Sequence, residues 1–167
     1  MNKTKPIVSV IMGSDSDLLF MKEAALILDE FEIPYEMSVY SAHRAPNATR
    51  GFALSAIKRG IKVIIAGAGG SAHLAGVVAS LYPLPVIGVP IKSLSLDGVD
   101  SLYSTVQMPP GVPVATVGIN AAKNAGLLAI QILAVDNPSL IKKIVLYKID
   151  QENIVIEKSK RLQQQMK

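Results

Sequence analysis

Two histidines, His43 and His73, and no cysteine occur in the 167 residues, and that scarcity narrows the chemistry at once. Disulfides, thiolate-bound metals and cysteine nucleophiles are excluded. With no His-Glu-x-x-His, a metal site would need carboxylates that the loops do not cluster. The chain has no Gly-x-Ser-x-Gly elbow and no Gly-Lys-Ser/Thr phosphate loop, which argues against α/β-hydrolase and P-loop chemistry. What remains is His43 beside Arg44 in Ser41-Ala42-His43-Arg44-Ala45-Pro46. Histidine is the side chain that exchanges protons near neutral pH, and the arginine fork grips an oxyanion in its plane. A lone histidine is more often structural, so its position in the fold has to decide.

Two other stretches bear on a ligand. In Met12-Gly13-Ser14-Asp15-Ser16-Asp17 a β-branched run stops at a glycine and gives way to small oxygen-bearing residues before a helical pattern. Backbone N–H groups at the helix start, with the Ser14 and Ser16 hydroxyls beside them, suit a phosphate. The same residues could serve only as helix caps, and both readings stand at this point. The stretch from Gly67 to Ala72 satisfies the Gly-x-Gly-x-x-Ala form of a dinucleotide fingerprint, but weakly. It follows the third strand rather than the first, and Ile87-Gly88-Val89-Pro90 occupies the place where an acidic residue should meet a ribose. A tight turn through Gly69, Gly70, Ser71 and Ala72 that brings backbone N–H groups to a small ligand is the better reading, with His73 lining that site or buried.

The elements that must position these loops alternate in type. Val8, Val10 and Ile11 suit a buried strand; Leu18, Met21, Ala25 and Leu28 share one helical face, and that helix ends near Glu32. A second strand is expected over Tyr35–Tyr40, a helix from Pro46 to Arg59 stopped by Gly60, and a third strand over Val63–Ala66. A short helix follows, then strands at Pro85–Val89 and Val114–Val117, with helices over Asp97–Val106 and Asn120–Val135. Asp136-Asn137-Pro138 introduces a further helix. This pattern predicts an α/β fold: a single three-layer, doubly wound parallel sheet of the flavodoxin or Rossmann kind over residues 1–136, with a C-terminal helical tail over 137–167. Ligands in such sheets lie outside the carboxyl ends of the strands, so Ser14–Asp17, Ser41–Arg44 and Gly67–His73 should converge.

Length and charge agree with one soluble catalytic domain. The chain is long enough for a core without staples. Half of its residues are hydrophobic, mean hydropathy is +0.37, and residues 66–91 carry no formal charge. Eight glycines and prolines cut that stretch into short pieces, so no membrane span is expected. The apolar excess points instead to surface buried between copies of the chain. The net charge of +4 lies wholly in residues 139–167, where seven basic and three acidic side chains stand, while residues 1–138 balance at ten of each. No basic stripe with interleaved aromatics remains for nucleic acid. The absence of a charged-then-apolar leader fits a cytoplasmic protein.

Four motifs in order are highly specific together: Met12–Asp17, Ser41–Pro46, Ala66-Gly67-Ala68-Gly69-Gly70-Ser71-Ala72-His73-Leu74, and Asp100-Ser101-Leu102-Tyr103-Ser104-Thr105-Val106-Gln107-Met108-Pro109. Over about Ile7–Leu133 the chain resembles the PurE family, the N5-carboxyaminoimidazole ribonucleotide mutases of purine biosynthesis. The resemblance implies that Ser14, Ser16, Asp17 and Arg44 hold the ribose 5-phosphate end of the substrate, with Asp17 on the ribose hydroxyls because a carboxylate repels phosphate. It implies that Ser41 and the turn of Gly69, Gly70, Ser71 and Ala72 line the carboxylate or imidazole end, and that His43 is the acid and base. Neither a metal nor an organic cofactor is implied. A homo-octamer is implied, as is functional coupling to the ATP-dependent synthetase that makes the carboxyamino substrate. The Gly-Gly-x-Ala-His-Leu form, with His73, resembles the mutase class rather than the related carboxylase that uses free CO2. A non-enzymatic nucleotide-binding module is the alternative from another class. The segment Val117–Asn124 is slightly shorter than the family's usual form, and the tail after Asp136 matches none of its motifs.

Overall fold

The computed structural model describes residues 5–166. Five parallel strands, β1 (Val8–Met12), β2 (Tyr35–Val39), β3 (Val63–Gly69), β4 (Val86–Ile91) and β5 (Ala115–Thr116), form one sheet in the order β2-β1-β3-β4-β5. Between them run α1 (Leu18–Glu30), α2 (Pro46–Arg59), α3 (Leu74–Ala79) and α4 (Val99–Val106), with α5 (Ala122–Ala134) and α6 (Pro138–Gln165) after the last strand. This is the doubly wound α/β arrangement expected from the alternation of patterns, and its switch point lies between β1 and β3.

The central strands β1, β3 and β4 are apolar because both of their faces are covered. Ile11, Ile64, Ala66 and Val86 pack with Phe52, Ala53 and Ala56 of α2 and Leu74, Ala75 and Val78 of α3 in one core cluster. On the opposite face Met21 of α1 lies against Gly67, so close that a Cβ there would overlap its sulfur. α5 approaches α1 at Gly126, where a side chain would meet Ile27 and the Ala24 carbonyl. Near the amino ends of the strands, the buried Tyr82 hydroxyl donates to the Ile61 carbonyl at 2.8 Å. On the β2 edge, Glu36 accepts from Ser9 of β1 and pairs with Arg59 of α2, whose guanidinium lies 5.0 Å from the Phe52 ring centre.

Several boundaries differ from the sequence reading, most by one or two residues, and three of them bear on the sheet. β3 continues through Gly69, so Gly67 and Ala68 are strand residues rather than turn residues. β4 continues through Pro90 and Ile91. β5 pairs only at Ile87 and Gly88, so beyond Gly88 no strand lies on the outer side of β4 and a proline without an N–H is tolerated there. β5 itself shrinks to two residues.

The chain divides into two compact units between Ile132 and Leu133, inside α5. The second is dominated by α6, a 28-residue helix whose start is fixed by Pro138 in its first turn and by Asn137, whose side chain accepts from the Leu140 N–H at 3.1 Å. No described helix is long and apolar enough to cross a membrane.

Candidate active site

The loops after β1, β2, β3 and β4 line an open cleft of about 580 Å³ at the carboxyl end of the sheet. Ser14, Ser16, Asp17, Ser41, His43, Arg44, Gly69, Gly70, Ser71 and His73 all line it, joined by Gly13, Ala42, Ala68 and Leu74. Ala72 is the one candidate from the sequence that is not on the wall; its side chain is buried. Lys92, Ser93 and Leu94 line the cavity and were not foreseen. The rule that pointed to the other three loops, a polar segment directly after a parallel strand, would have found them had β4 not been ended at Val89.

The first loop is a 3-10 turn, Asp15–Asp17, leading into α1. Its N–H groups are largely engaged within the loop itself. Ser14 N–H donates to the Asp17 carboxylate at 3.1 Å, Ser16 N–H to Asp15 at 3.0 Å, and Asp17 N–H to the Ser14 carbonyl at 3.2 Å. The Ser14 hydroxyl donates to Asp15 at 3.1 Å and the Ser16 side chain to Asp17, so the acids hold both hydroxyls as well as the helix start; Arg44 keeps donors for an anion, and a hydroxyl meets one only by leaving its acid. Asp17 is buried, and that desolvation raises its pKa above the ordinary 3.8 despite the opposing hydrogen bonds from Ser14 and Ser16.

The second loop carries the proton-transfer candidate. Arg44 is tied across two strand ends: its Nη2 donates to the Gly13 carbonyl at 3.3 Å, and its Nε and main-chain N–H to the Ser41 hydroxyl at 3.4 and 3.2 Å. His43, exposed to the cavity, forms a 2.7 Å hydrogen bond from Nε2 to Nδ1 of His73, with the two rings nearly perpendicular at 86°. His73 is likewise exposed rather than buried. One of these nitrogens donates and the other accepts, so a proton passed to or from His43 has a second imidazole within reach.

In the third loop Gly70 turns the chain at φ +63° after β3, a conformation that glycine adopts without strain. The Ala72 and His73 N–H groups bond back to the Gly70 and Ser71 carbonyls at 2.8 and 2.6 Å. The turn thus offers the cavity small walls and His73 more than it offers those two amides. Among the described residues no group of three or more His, Asp or Glu side chains is placed to hold a metal.

Residues 7–153 fit the model of the family described as AIR carboxylase. The chain belongs to the AIR carboxylase family. Its relatives include the N5-carboxyaminoimidazole ribonucleotide mutase of Pyrococcus horikoshii, 58% identical over 98% of this chain and 93% of that one. The mutase of Thermotoga maritima is also 58% identical, over 95% of this chain and 93% of its own. The phosphoribosylaminoimidazole carboxylase of Schizosaccharomyces pombe matches at 58% over 95% of this chain, but this chain spans only 29% of that longer protein. Among solved structures, Treponema denticola PurE superposes with a TM-score of 0.83 at 31% identity, covering 94% of this chain and 98% of that one.

Proposed function

We propose that this member of the AIR carboxylase family is an N5-carboxyaminoimidazole ribonucleotide mutase, an isomerase of purine biosynthesis that moves a carboxylate from the exocyclic nitrogen to ring carbon C4. The observation that carries the reading is the placement, in one cavity, of an imidazole pair with anion-type donors on the neighbouring strand ends. The relatives that bear the mutase name match over nearly their whole length, which supports the same assignment.

In this reading Ser14, Ser16 and Arg44 hold the 5-phosphate, and the buried Asp17 accepts from the ribose hydroxyls. His43 donates a proton to the exocyclic nitrogen of the carbamate. The C–N bond breaks, its electrons return to that nitrogen, and CO2 is released within the site. The electron-rich C4 then attacks the carbon of CO2, and His43 takes the proton that C4 carried, which restores its starting state. One proton is given and one is recovered, so the reaction balances without an external acid, base or redox partner. His73 keeps the His43 ring oriented through the 2.7 Å hydrogen bond. Gly69, Gly70 and the apolar Leu74 line the cavity beside the histidines and leave room for CO2.

The carboxylase reading, in which free CO2 adds to aminoimidazole ribonucleotide, has one observation in its favour: the yeast relative of that name is as similar in sequence. It predicts uptake of dissolved CO2, whereas the mutase predicts transfer without exchange. Incorporation of labelled bicarbonate during turnover separates the two.

We further propose cytoplasmic, homo-octameric assembly, with the tail packing on a neighbouring subunit, and functional coupling to the synthetase that carboxylates the exocyclic nitrogen at the expense of ATP. In support of assembly, Ile141, Val145, Leu146, Ile149, Ile154, Val155 and Leu162 of α6 are all at least 45% exposed, and a helix of this kind gains little stability without a packed face.

A further inference from the structure

The cavity wall carries a second cation besides Arg44: Lys92, the first residue after β4. Its backbone is held on both sides. The Lys92 N–H donates to the Asn120 side-chain oxygen at 2.8 Å, and the next residue, Ser93, hydrogen-bonds both carboxylate oxygens of Asp100 at the start of α4. Gly98, at φ +94°, folds the loop back so closely that an added Cβ would lie 3.1 Å from Lys92 Cα. That fold brings Asp97 to Lys92, and the ammonium sits 2.8 Å from the Asp97 carboxylate. The ion pair is open to solvent, with the two side chains 54% and 82% exposed. Such a pair holds its partners weakly, so the ammonium is free to change partner while its stem stays anchored at the cavity.

Sheet order sets Lys92 apart from Arg44. Arg44 follows β2 and Lys92 follows β4, three strand spacings apart, or about 14 Å at the level of the sheet. The strand ends that carry the two cations thus lie on opposite sides of the cavity, with the Arg44 guanidinium on the Gly13 carbonyl after β1 and the Lys92 ammonium on Asp97. A ligand with one anion gripped at the Arg44 side would present to Lys92 whatever negative group it carries at the opposite end.

We propose that Lys92 is a carboxylate-binding residue that exchanges Asp97 for the substrate's carboxylate, first on the exocyclic nitrogen and then on C4. This rests on the ribonucleotide reading above. Both end states carry that negative charge and bound CO2 does not, so the ammonium favours ligand binding and retention of the carboxylated product. Its loss should weaken affinity for carboxylated ligands without touching the phosphate end.

The test compares two ligands by calorimetry on the full chain: 4-carboxyaminoimidazole ribonucleotide and aminoimidazole ribonucleotide, which lacks the carboxylate. Lys92→Met should weaken the carboxylated ligand about tenfold or more, the worth of one charge-assisted hydrogen bond, and leave the other within twofold. Asp97→Asn, which removes the competing partner, should bind the carboxylated ligand at least as tightly as wild type. Equal losses for both ligands, no loss in Lys92→Met, or weaker carboxylate binding in Asp97→Asn would overturn the proposal. Failure of wild type to bind either ribonucleotide would instead overturn the functional reading beneath it.

Discussion

Arg44→Ala should separate the phosphate end of the site from the rest. The guanidinium has five N–H donors, of which the structure uses one at Nε and one at Nη2, leaving 5 − 2 = 3 for a ligand. A hydrogen bond from a charged donor contributes roughly 1.5–3 kcal/mol. Arg44 is exposed, so the lower end of that range applies, and a fork donating two bonds to a phosphate contributes about 3 kcal/mol. Every 1.4 kcal/mol is tenfold in affinity, so the variant should bind the ribonucleotide roughly 100-fold more weakly. The matching ribonucleoside, without its phosphate, should bind wild type poorly and be almost indifferent to the change. Titration calorimetry on both ligands gives the comparison directly. The variant also loses the tie between the Gly13 carbonyl and the Ser41 hydroxyl, so its thermal midpoint should be recorded alongside. Equal losses for ribonucleotide and ribonucleoside would refute the assignment of Arg44 to the phosphate.

Burial raises the Asp17 pKa above 3.8, so the folded chain binds more protons than the unfolded one in the window just above that value, and stability falls as pH rises through it. Asp17→Asn should therefore melt no lower than wild type at pH 7 and should remove that pH dependence, while ribonucleotide binding weakens; a lower midpoint at pH 7 would contradict the burial argument. Tyr82→Phe leaves the Ile61 carbonyl without its buried donor and should cost about 1–2 kcal/mol, a few degrees in Tm, with turnover unchanged because Tyr82 lies at the other end of the sheet. Gly88→Ala drives a methyl into Thr105 and Val114 and should cost about 1–3 kcal/mol by chemical denaturation. Removing residues from Asp150 onward should lower the concentration stability of the assembly by light scattering before it alters the chemistry, and a wild-type monomer at micromolar concentration would rule out the proposed octamer.

The order of strands and helices and the convergence of three loops were legible because strand and helix patterns alternate and each loop follows a strand, apolar in β1 and β3 and mixed in the edge strand β2. The contact between His43 and His73 was not. The two residues are thirty positions apart, on loops after β2 and β3, strands separated by β1, so no local spacing encodes their 2.7 Å approach. Gly67 misled in a different way: as a letter it suggests a turn, but in the sheet it makes room for Met21. Pro90 concealed the fourth loop, because a proline reads as a strand end unless β5 is known to stop short of it. Lys92 was hidden behind that boundary. Asp17 was recognisable as a capping type, but its burial depends on packing that one sequence does not display.

The most direct test of the central claim, transfer of the carboxylate within one site driven by His43, is turnover of unlabelled carboxyamino substrate in labelled bicarbonate. Wild type should form 4-carboxyaminoimidazole ribonucleotide free of label, and His43→Asn, which keeps the shape but not the exchangeable proton, should bind substrate nearly normally and turn over at least about 100-fold more slowly. Rapid entry of label into product, or an active His43→Asn enzyme, would contradict it.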